Sequence, residues 1–241
     1  IQFASFLPLH TFLETCSIVV SVMVFVMSRQ VAADGANRNM LLLGTAFLGV
    51  SVLDFMHAMS YAGMPAMVTP SGPEKAINFW LAARLLAAGA LVAAATMSWH
   101  ATVPRRTAQL AVPATLAVIG AITWIVLCRP QSIPRTFIPG QGLTGFKIVA
   151  EWIIIALSLI AAIGFFRHAE MHDRQGSTGV RFDPIALMSA AVVTALAEVF
   201  FTIYIDVNGL SNVLGHIYKV IAAWLIYRGL VAVNLQDIEA R

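Results

Sequence analysis

The chain has 241 residues, of which 59% are hydrophobic and only 11% are charged. Roughly a quarter of the residues of a soluble domain are charged, so this composition excludes a soluble globular fold. The formal charge of +3 comes from few groups, most of which flank apolar runs. That placement is typical of helices oriented in a bilayer, and no nucleic-acid partner is expected.

Seven windows of mostly apolar residues are long enough to cross the hydrocarbon core, which takes about 20 residues. Continuous apolar runs predict helices, because a spanning sheet would need a closed barrel with alternating residues. The sequence therefore predicts an all-α integral membrane protein, a bundle of seven transmembrane helices. The predicted spans are 5–28, 40–60, 76–98, 107–128, 144–166, 184–204 and 211–233.

The connections between the spans indicate the orientation in the membrane. Alternate connections are rich in arginine and should face the cytoplasm by the positive-inside rule. These arginines are Arg29, Arg38, Arg105, Arg106, Arg167, Arg174 and Arg181. The basic residues expected in the opposite connections are Lys75, Arg129, Arg135 and Lys147. We therefore expect the N-terminus outside and the C-terminus in the cytoplasm, with an ordered Pro- and Gly-rich outer loop at 128–145.

The expected domain organisation is one membrane domain and the start of a connection. Residues 1–233 form the predicted seven-helix domain, and 234–241 continue the last helix in mostly polar residues. We interpret 234–241 as the beginning of a cytoplasmic linker helix that leads to an effector domain of the same protein.

Ionisable residues inside the spans are the main functional signal, because each costs roughly 3 kcal/mol or more unless it is paired or hydrated. They lie in the outer half of the spans or near the middle: His10, Glu14, Asp54, His57, Arg84, Glu151, Glu198, His216 and Lys219. Several are three or four positions apart and so share a helix face. These pairs are His10 with Glu14, Asp54 with His57, and His216 with Lys219. In a closed ring, spans one, two and seven are neighbours, and the three imidazoles can meet.

Three interpretations of this cluster are open at the sequence level. The first is a structural network of salt bridges in which the two basic residues neutralise the acids. The second is a Zn or Cu site made by the three imidazoles and Glu14, with Asp54 orienting a ring. The third is a haem held by paired histidines, or a pocket for a small molecule such as a quinone.

Several stretches, in the same order along the chain, resemble the third membrane-associated sensor (MASE) family of bacterial signalling proteins. They are 54–65, 78–84, 142–147 with Glu151, 206–212 and 215–219. The resemblance implies a sensory module of the bacterial inner membrane, usually followed by a diguanylate cyclase, a histidine kinase or a PAS-containing effector. The family's ligand does not follow from the resemblance.

The leading hypothesis is a sensory domain that binds a ligand, metal or cofactor in its outer half and signals through the last helix, within a homodimer. Expected ligand-binding residues are Asp54, Tyr61, Arg84, Glu151, Glu198 and Lys219, and the metal-ligand candidates are His10, Glu14, His57 and His216. The alternatives are an ion- or proton-coupled transporter and an intramembrane metalloenzyme. No phosphate-binding glycine loop with its lysine is present, so the domain itself is not expected to be an enzyme.

The orientation can be tested with reporters. A reporter fused after Arg241 should be active in the cytoplasm, and one inserted near Ser71 should be active outside, because arginine is concentrated in the alternate connections. Alkaline phosphatase and a fluorescent protein that folds only in the cytoplasm give complementary readouts. Both positions on one side of the membrane would contradict the seven-span topology.

Overall fold

The computed structural model describes residues 6–31, 37–172, 182–203 and 209–234. Within these ranges the chain forms seven helices that are long and apolar enough to cross a membrane. The helices are α1 (Leu7–Val31), α2 (Arg38–Ser60), α3 (Pro73–Thr96), α4 (Arg105–Cys128), α5 (Gly145–His172), α6 (Pro184–Ile203) and α7 (Leu210–Tyr227). A π-helix over Arg228–Ala232 follows α7 directly. The seven predicted apolar spans are therefore confirmed as helices.

Some boundaries differ from the predicted ones for local reasons. α3 begins at Pro73 and not at 76, because proline is well suited to the first turn of a helix, where its missing N–H has no partner. α5 continues past 166 to His172 in polar residues. Lys75, expected in a connection, lies in the first turn of α3. Lys147 was counted among the basic residues of the connections, and it lies in the first turn of α5, within the predicted span 144–166. The interpretation of 235–241 as a linker concerns residues outside the described ranges.

The connection between α4 and α5 contains short secondary structure that an apolar pattern could not reveal. A single 3-10 turn at Pro130–Ser132 is followed by two antiparallel strands, β1 (Phe137–Ile138) and β2 (Gly142–Leu143). Gly140 and Gly142 have positive φ angles of 81° and 88°, which glycine adopts at little cost. We call the end of the bundle that carries these strands the hairpin end.

Six of the helices close into a ring in the order α1, α2, α3, α5, α6 and α7, with α7 packed against α1. α4 lies outside this ring and packs mainly against α2. Only Ile119, Val126 and Leu127 of α4 are buried, so most of this helix presents apolar side chains outward, as a lipid-facing helix does. The ring makes α1, α2 and α7 neighbours, which is the arrangement needed for their histidines to meet.

Buried side chains divide the bundle into two halves of different character. The half away from the hairpin end is filled by a large apolar core whose members include Val24, Phe47, Leu91, Phe165, Leu187 and Leu230. Among the described residues, the buried ionisable groups belong to the other half, on the hairpin side of this core. The apolar half therefore supports the bundle, and the hairpin half holds the candidate site.

The end opposite the hairpin is held by aromatic and backbone contacts. Trp99 stacks on Phe182 with ring centroids 3.8 Å apart. The backbone N–H of Asp183 donates to the carbonyl oxygen of Gly229 in the π-helix at 2.9 Å. The start of α6 is therefore tied directly to the end of the last helix.

A pair of glycine substitutions tests the close packing of α5 on α3. A Cβ atom at Gly164 would lie 2.8 Å from Cβ and 3.1 Å from the carbonyl oxygen of Ala95, whereas one at Gly120 would meet nothing within 4 Å. Gly164→Ala should lower the free energy of unfolding by about 1–3 kcal/mol because backbone must move. Gly120→Ala should be neutral or slightly stabilising. Unfolding in mixed micelles measures both, and equal stability of the two variants would contradict the close contact.

Candidate functional site

Three imidazoles meet between α1, α2 and α7 in the hairpin half of the bundle. Nε2 of His10 lies 3.2 Å from Nε2 of His57. The ring of His216 has its centroid 4.8 Å from that of His10 and 6.5 Å from that of His57. All three side chains are buried. The structure thus brings together histidines from three helices that are far apart in the sequence.

Two of these histidines and a carboxylate have the geometry of a metal site. One ligand atom from each of His10, Glu14 and His57 lies within 4.8 Å of the others. Two nitrogens bound to one tetrahedral Zn at 2.0–2.1 Å are separated by about 3.3 Å, close to the 3.2 Å observed between the two Nε2 atoms. The same separation also permits a hydrogen bond between the two rings, so it fits both an ion and a direct contact.

The hydrogen bonds of the other ring nitrogens define how each imidazole is oriented. Nδ1 of His57 lies 2.8 Å from the carbonyl oxygen of Ala76, so Nδ1 donates and Nε2 keeps its lone pair toward His10. Metal-binding histidines have this arrangement, in which the second nitrogen donates to a backbone carbonyl or a carboxylate. Nδ1 of His10 is buried without a hydrogen-bond partner in the described part of the chain.

His216 has a different place from the other two histidines. Its Nδ1 lies 2.9 Å from Oε1 of Glu14, so it contacts the carboxylate and does not join the set formed by His10, Glu14 and His57. His216 was expected to be a metal ligand together with His10, Glu14 and His57. In the structure its imidazole lies against Glu14, outside the group of three potential ligand atoms, and its role as a ligand stays a prediction.

A chain of buried ion pairs lies beside the imidazoles and joins four helices. Nζ of Lys219 is 2.6 Å from Oε2 of Glu14 and 3.1 Å from Oδ2 of Asp54. A guanidinium nitrogen of Arg84 is 2.8 Å from both carboxylate oxygens of Asp54. Two acids and two bases thus balance across α1, α2, α3 and α7. We call these four residues the charge network.

Trp80 lies beside both cations of the charge network. Nζ of Lys219 lies 4.8 Å from the centroid of its ring, and the guanidinium carbon of Arg84 lies 4.9 Å away. Cations at these distances are stabilised by the aromatic ring. No spacing rule in the sequence pointed to this role, because it depends on how α3 faces α7.

Two further buried acids lie on α5 and α6. Glu151 pairs with Lys147 one turn earlier, with Nζ and Oε1 2.5 Å apart, and Nζ also donates to the carbonyl oxygen of Phe201. Lys147 was not among the predicted site residues, although its four-residue spacing from Glu151 is the signal that would have found it. Glu198 and Arg84 line a cavity of about 20 Å³, which is room for about one water molecule.

A larger cavity of about 110 Å³ lies next to the histidines and extends to exposed residues at the hairpin end. Ala62 and Pro73, both exposed, lie at its outer edge, and His57 and His216 lie in its buried part. Tyr61, which entered the predicted site through the family resemblance, also lines it. The ring of Tyr61 stacks on His10 with centroids 3.9 Å apart.

Comparison with known protein families gives a match over almost the whole chain. The family model MASE3, described as a membrane-associated sensor domain, matches residues 1–237. No curated protein and no solved structure matches the chain.

The charge network should be essential for stability, and an exposed ion pair provides the control. Lys219→Met leaves the buried carboxylate of Glu14 without its cation and should lower the free energy of unfolding by about 3–5 kcal/mol. Arg135→Met removes an exposed partner of Glu74, in which the side chains are 60% and 36% accessible, and should cost about 0–1 kcal/mol.

The matching double variant separates lost pairing from lost packing. Glu14→Gln combined with Lys219→Met removes both charges of the pair, so it should be more stable than Lys219→Met alone. Thermal unfolding in detergent compares the stability of these three variants with that of the wild type. Equal losses for Lys219→Met and Arg135→Met would show that the buried network is not what holds the helices together.

Proposed function

Since the chain belongs to the MASE3 family of membrane-associated sensor domains, we propose that it is a sensory module of the bacterial inner membrane whose buried histidines bind Zn or Cu. The observation that carries this proposal is the pair of Nε2 atoms of His10 and His57, 3.2 Å apart with a Glu14 oxygen in reach. Imidazole and carboxylate are ligands suited to both metals.

A bound metal explains side chains that the charge network does not need. Arg84 and Lys219 neutralise Asp54 and Glu14 by direct contacts, so salt bridges alone account for the acids. They give no reason for the imidazoles of His10 and His57 to face each other. Haem is less well supported, because the 3.2 Å between the two nitrogens is too short for a macrocycle between them.

A sensor is favoured over a transporter by the distribution of polar residues and over an enzyme by the family match. A carrier needs a polar route through the membrane, but the half away from the hairpin is filled by the apolar core, without buried ionisable groups among the described residues. An intramembrane metalloenzyme needs a metal with an open position for its substrate. The family match, which describes a sensor domain, is what favours a sensor over an enzyme.

The contacts of Glu14 suggest how an ion on α1 and α2 could change α7. Both carboxylate oxygens of Glu14 contact α7, one through His216 and the other through Lys219. A metal that takes one of these oxygens as a ligand weakens a bond between α1 and α7. The ion would then favour a different packing of α7, which is the differential binding that a two-state sensor requires.

The direction of the signal follows from the charges at the two ends. The connections opposite the hairpin are rich in arginine, so we place that end in the cytoplasm and the hairpin end outside. α7 runs from the site to the cytoplasmic end and would pass the change to an effector of the same protein, a diguanylate cyclase or a histidine kinase, within a homodimer.

Metal analysis of the purified protein tests the proposal. After dialysis against Zn or Cu and removal of excess ion, the wild type should retain one ion per chain by mass spectrometry. His10→Ala and His57→Ala should each lose at least about 10-fold in metal affinity because each removes a ligand. His100→Ala is the control, since His100 is exposed and lies in the connection after α3, away from the site.

Circular dichroism must show that the helices are retained in every variant. A wild type without a stoichiometric ion, combined with the instability expected for Lys219→Met, would show that the cluster is a structural network only.

A further inference from the structure

The cavity beside the histidines has aromatic walls that suit a flat molecule. The rings of Tyr61, Trp80 and Phe201 line it together with Ile77 and Ala76. Trp80 and Phe201 meet edge to face with centroids 4.5 Å apart. Pockets of this kind bury a planar apolar ligand against aromatic faces, and a few polar groups select and orient it.

His216 is one of the polar residues that line this cavity. Its Nδ1 faces a carboxylate oxygen of Glu14 at 2.9 Å. A carboxylate accepts hydrogen bonds, so the proton of the neutral ring belongs on Nδ1 and Nε2 is an acceptor. His57 offers no such atom, because its two nitrogens face His10 and the carbonyl of Ala76.

A second acceptor lies on another helix of the ring. Glu151 lines the same cavity and is fully buried. Its carboxylate pairs with Lys147 and has the Thr202 side chain as a further partner, but a carboxylate has about four lone-pair sites and can accept another hydrogen bond. Glu151 lies on α5 and His216 on α7, and α6 separates these two helices in the ring.

The charges around the cavity favour an uncharged ligand. Lys147 is engaged by Glu151 and by the carbonyl of Phe201, so it balances a carboxylate that is already present. An anion or cation entering this space would lose its hydration without gaining an opposite charge.

We infer that this cavity binds an uncharged aromatic ring with two hydroxyl donors, a quinol or a related phenol. One hydroxyl donates to Nε2 of His216 and the other to the carboxylate of Glu151. The ring enters past Ala62 and Pro73 and lies among the aromatic walls. This inference rests on the proposed sensory function and names an organic ligand for it, at a site adjacent to the metal and sharing His216 as the link to Glu14.

Calorimetric titration of the whole chain under argon tests the hydrogen bonds. Hydroquinone should bind one molecule per chain, and 1,4-dimethoxybenzene, which keeps the ring but has no donors, should bind at least about 10-fold more weakly because it can donate to neither acceptor. Equal affinities of the two probes, or no binding of hydroquinone, would overturn the inference.

Two tryptophan substitutions test the location. Ala62→Trp fills the outer edge of the cavity and should weaken hydroquinone binding at least about 10-fold. Ala66→Trp is the matched control, because Ala66 is exposed in the same connection and does not line the cavity. Unchanged binding by Ala62→Trp, or an equal loss in both variants, would place the ligand elsewhere and refute the assignment.

Two further titrations use the same samples. One asks whether the ligand comes from the bilayer or from solution, and the other asks whether hydroquinone binding depends on the metal. A hydroquinone carrying a decyl chain, titrated into nanodiscs, should bind more tightly than hydroquinone if the ring comes from the bilayer, and no more tightly if it comes from solution. Removal of the metal from the wild type with a chelator should leave hydroquinone binding in place, since the candidate ligands His10 and Glu14 do not line the cavity. Retained metal without hydroquinone binding refutes this inference alone, and hydroquinone binding without metal in the wild type refutes only the metal proposal.

Discussion

Two carboxylates buried in an apolar bundle are the constraint on which the rest of this structure depends. Glu14 and Asp54 can be ionised there only if cations from other helices reach them. Lys219 contacts both, and Arg84 holds Asp54 from the other side. These few contacts fix the relative rotation of α1, α2, α3 and α7. The histidines lie where they do because each is within one turn of a member of this network.

The helices and the depth of the site could be predicted from the sequence because both depend on the cost of polar groups in hydrocarbon. The side-chain contacts within the site could not be predicted. Whether His216 meets a metal or Glu14 depends on side-chain rotation, which spacing does not determine. Lys147 was counted among the basic residues of the connections because residue type alone does not show that it is buried and paired with Glu151. α4 has no ionisable residue deep in its span, and without a polar tie it lies outside the ring.

Glu14 connects the structural and the chemical roles of the site. The same carboxylate neutralises Lys219, contacts Nδ1 of His216 and lies within reach of the imidazoles of His10 and His57. A carboxylate shared by several partners is poorly suited to stability alone, because each partner weakens the contacts of the others. It is a good choice for a switch, because two arrangements then differ by the exchange of single contacts and not by a rearranged core.

The π-helix at Arg228–Ala232 affects the direction, around the helix axis, of a helix joined after it. Each residue of an α-helix turns the chain by about 100° and advances it by about 1.5 Å, and a π-turn accommodates one residue more than an α-turn. Conversion of this single segment to α-helix would therefore rotate the helical face beyond it by roughly a quarter turn while the bundle stayed in place. Chimeras joined after Asn234 must be designed by residue count from this turn, because one inserted or deleted residue changes which face meets a partner helix.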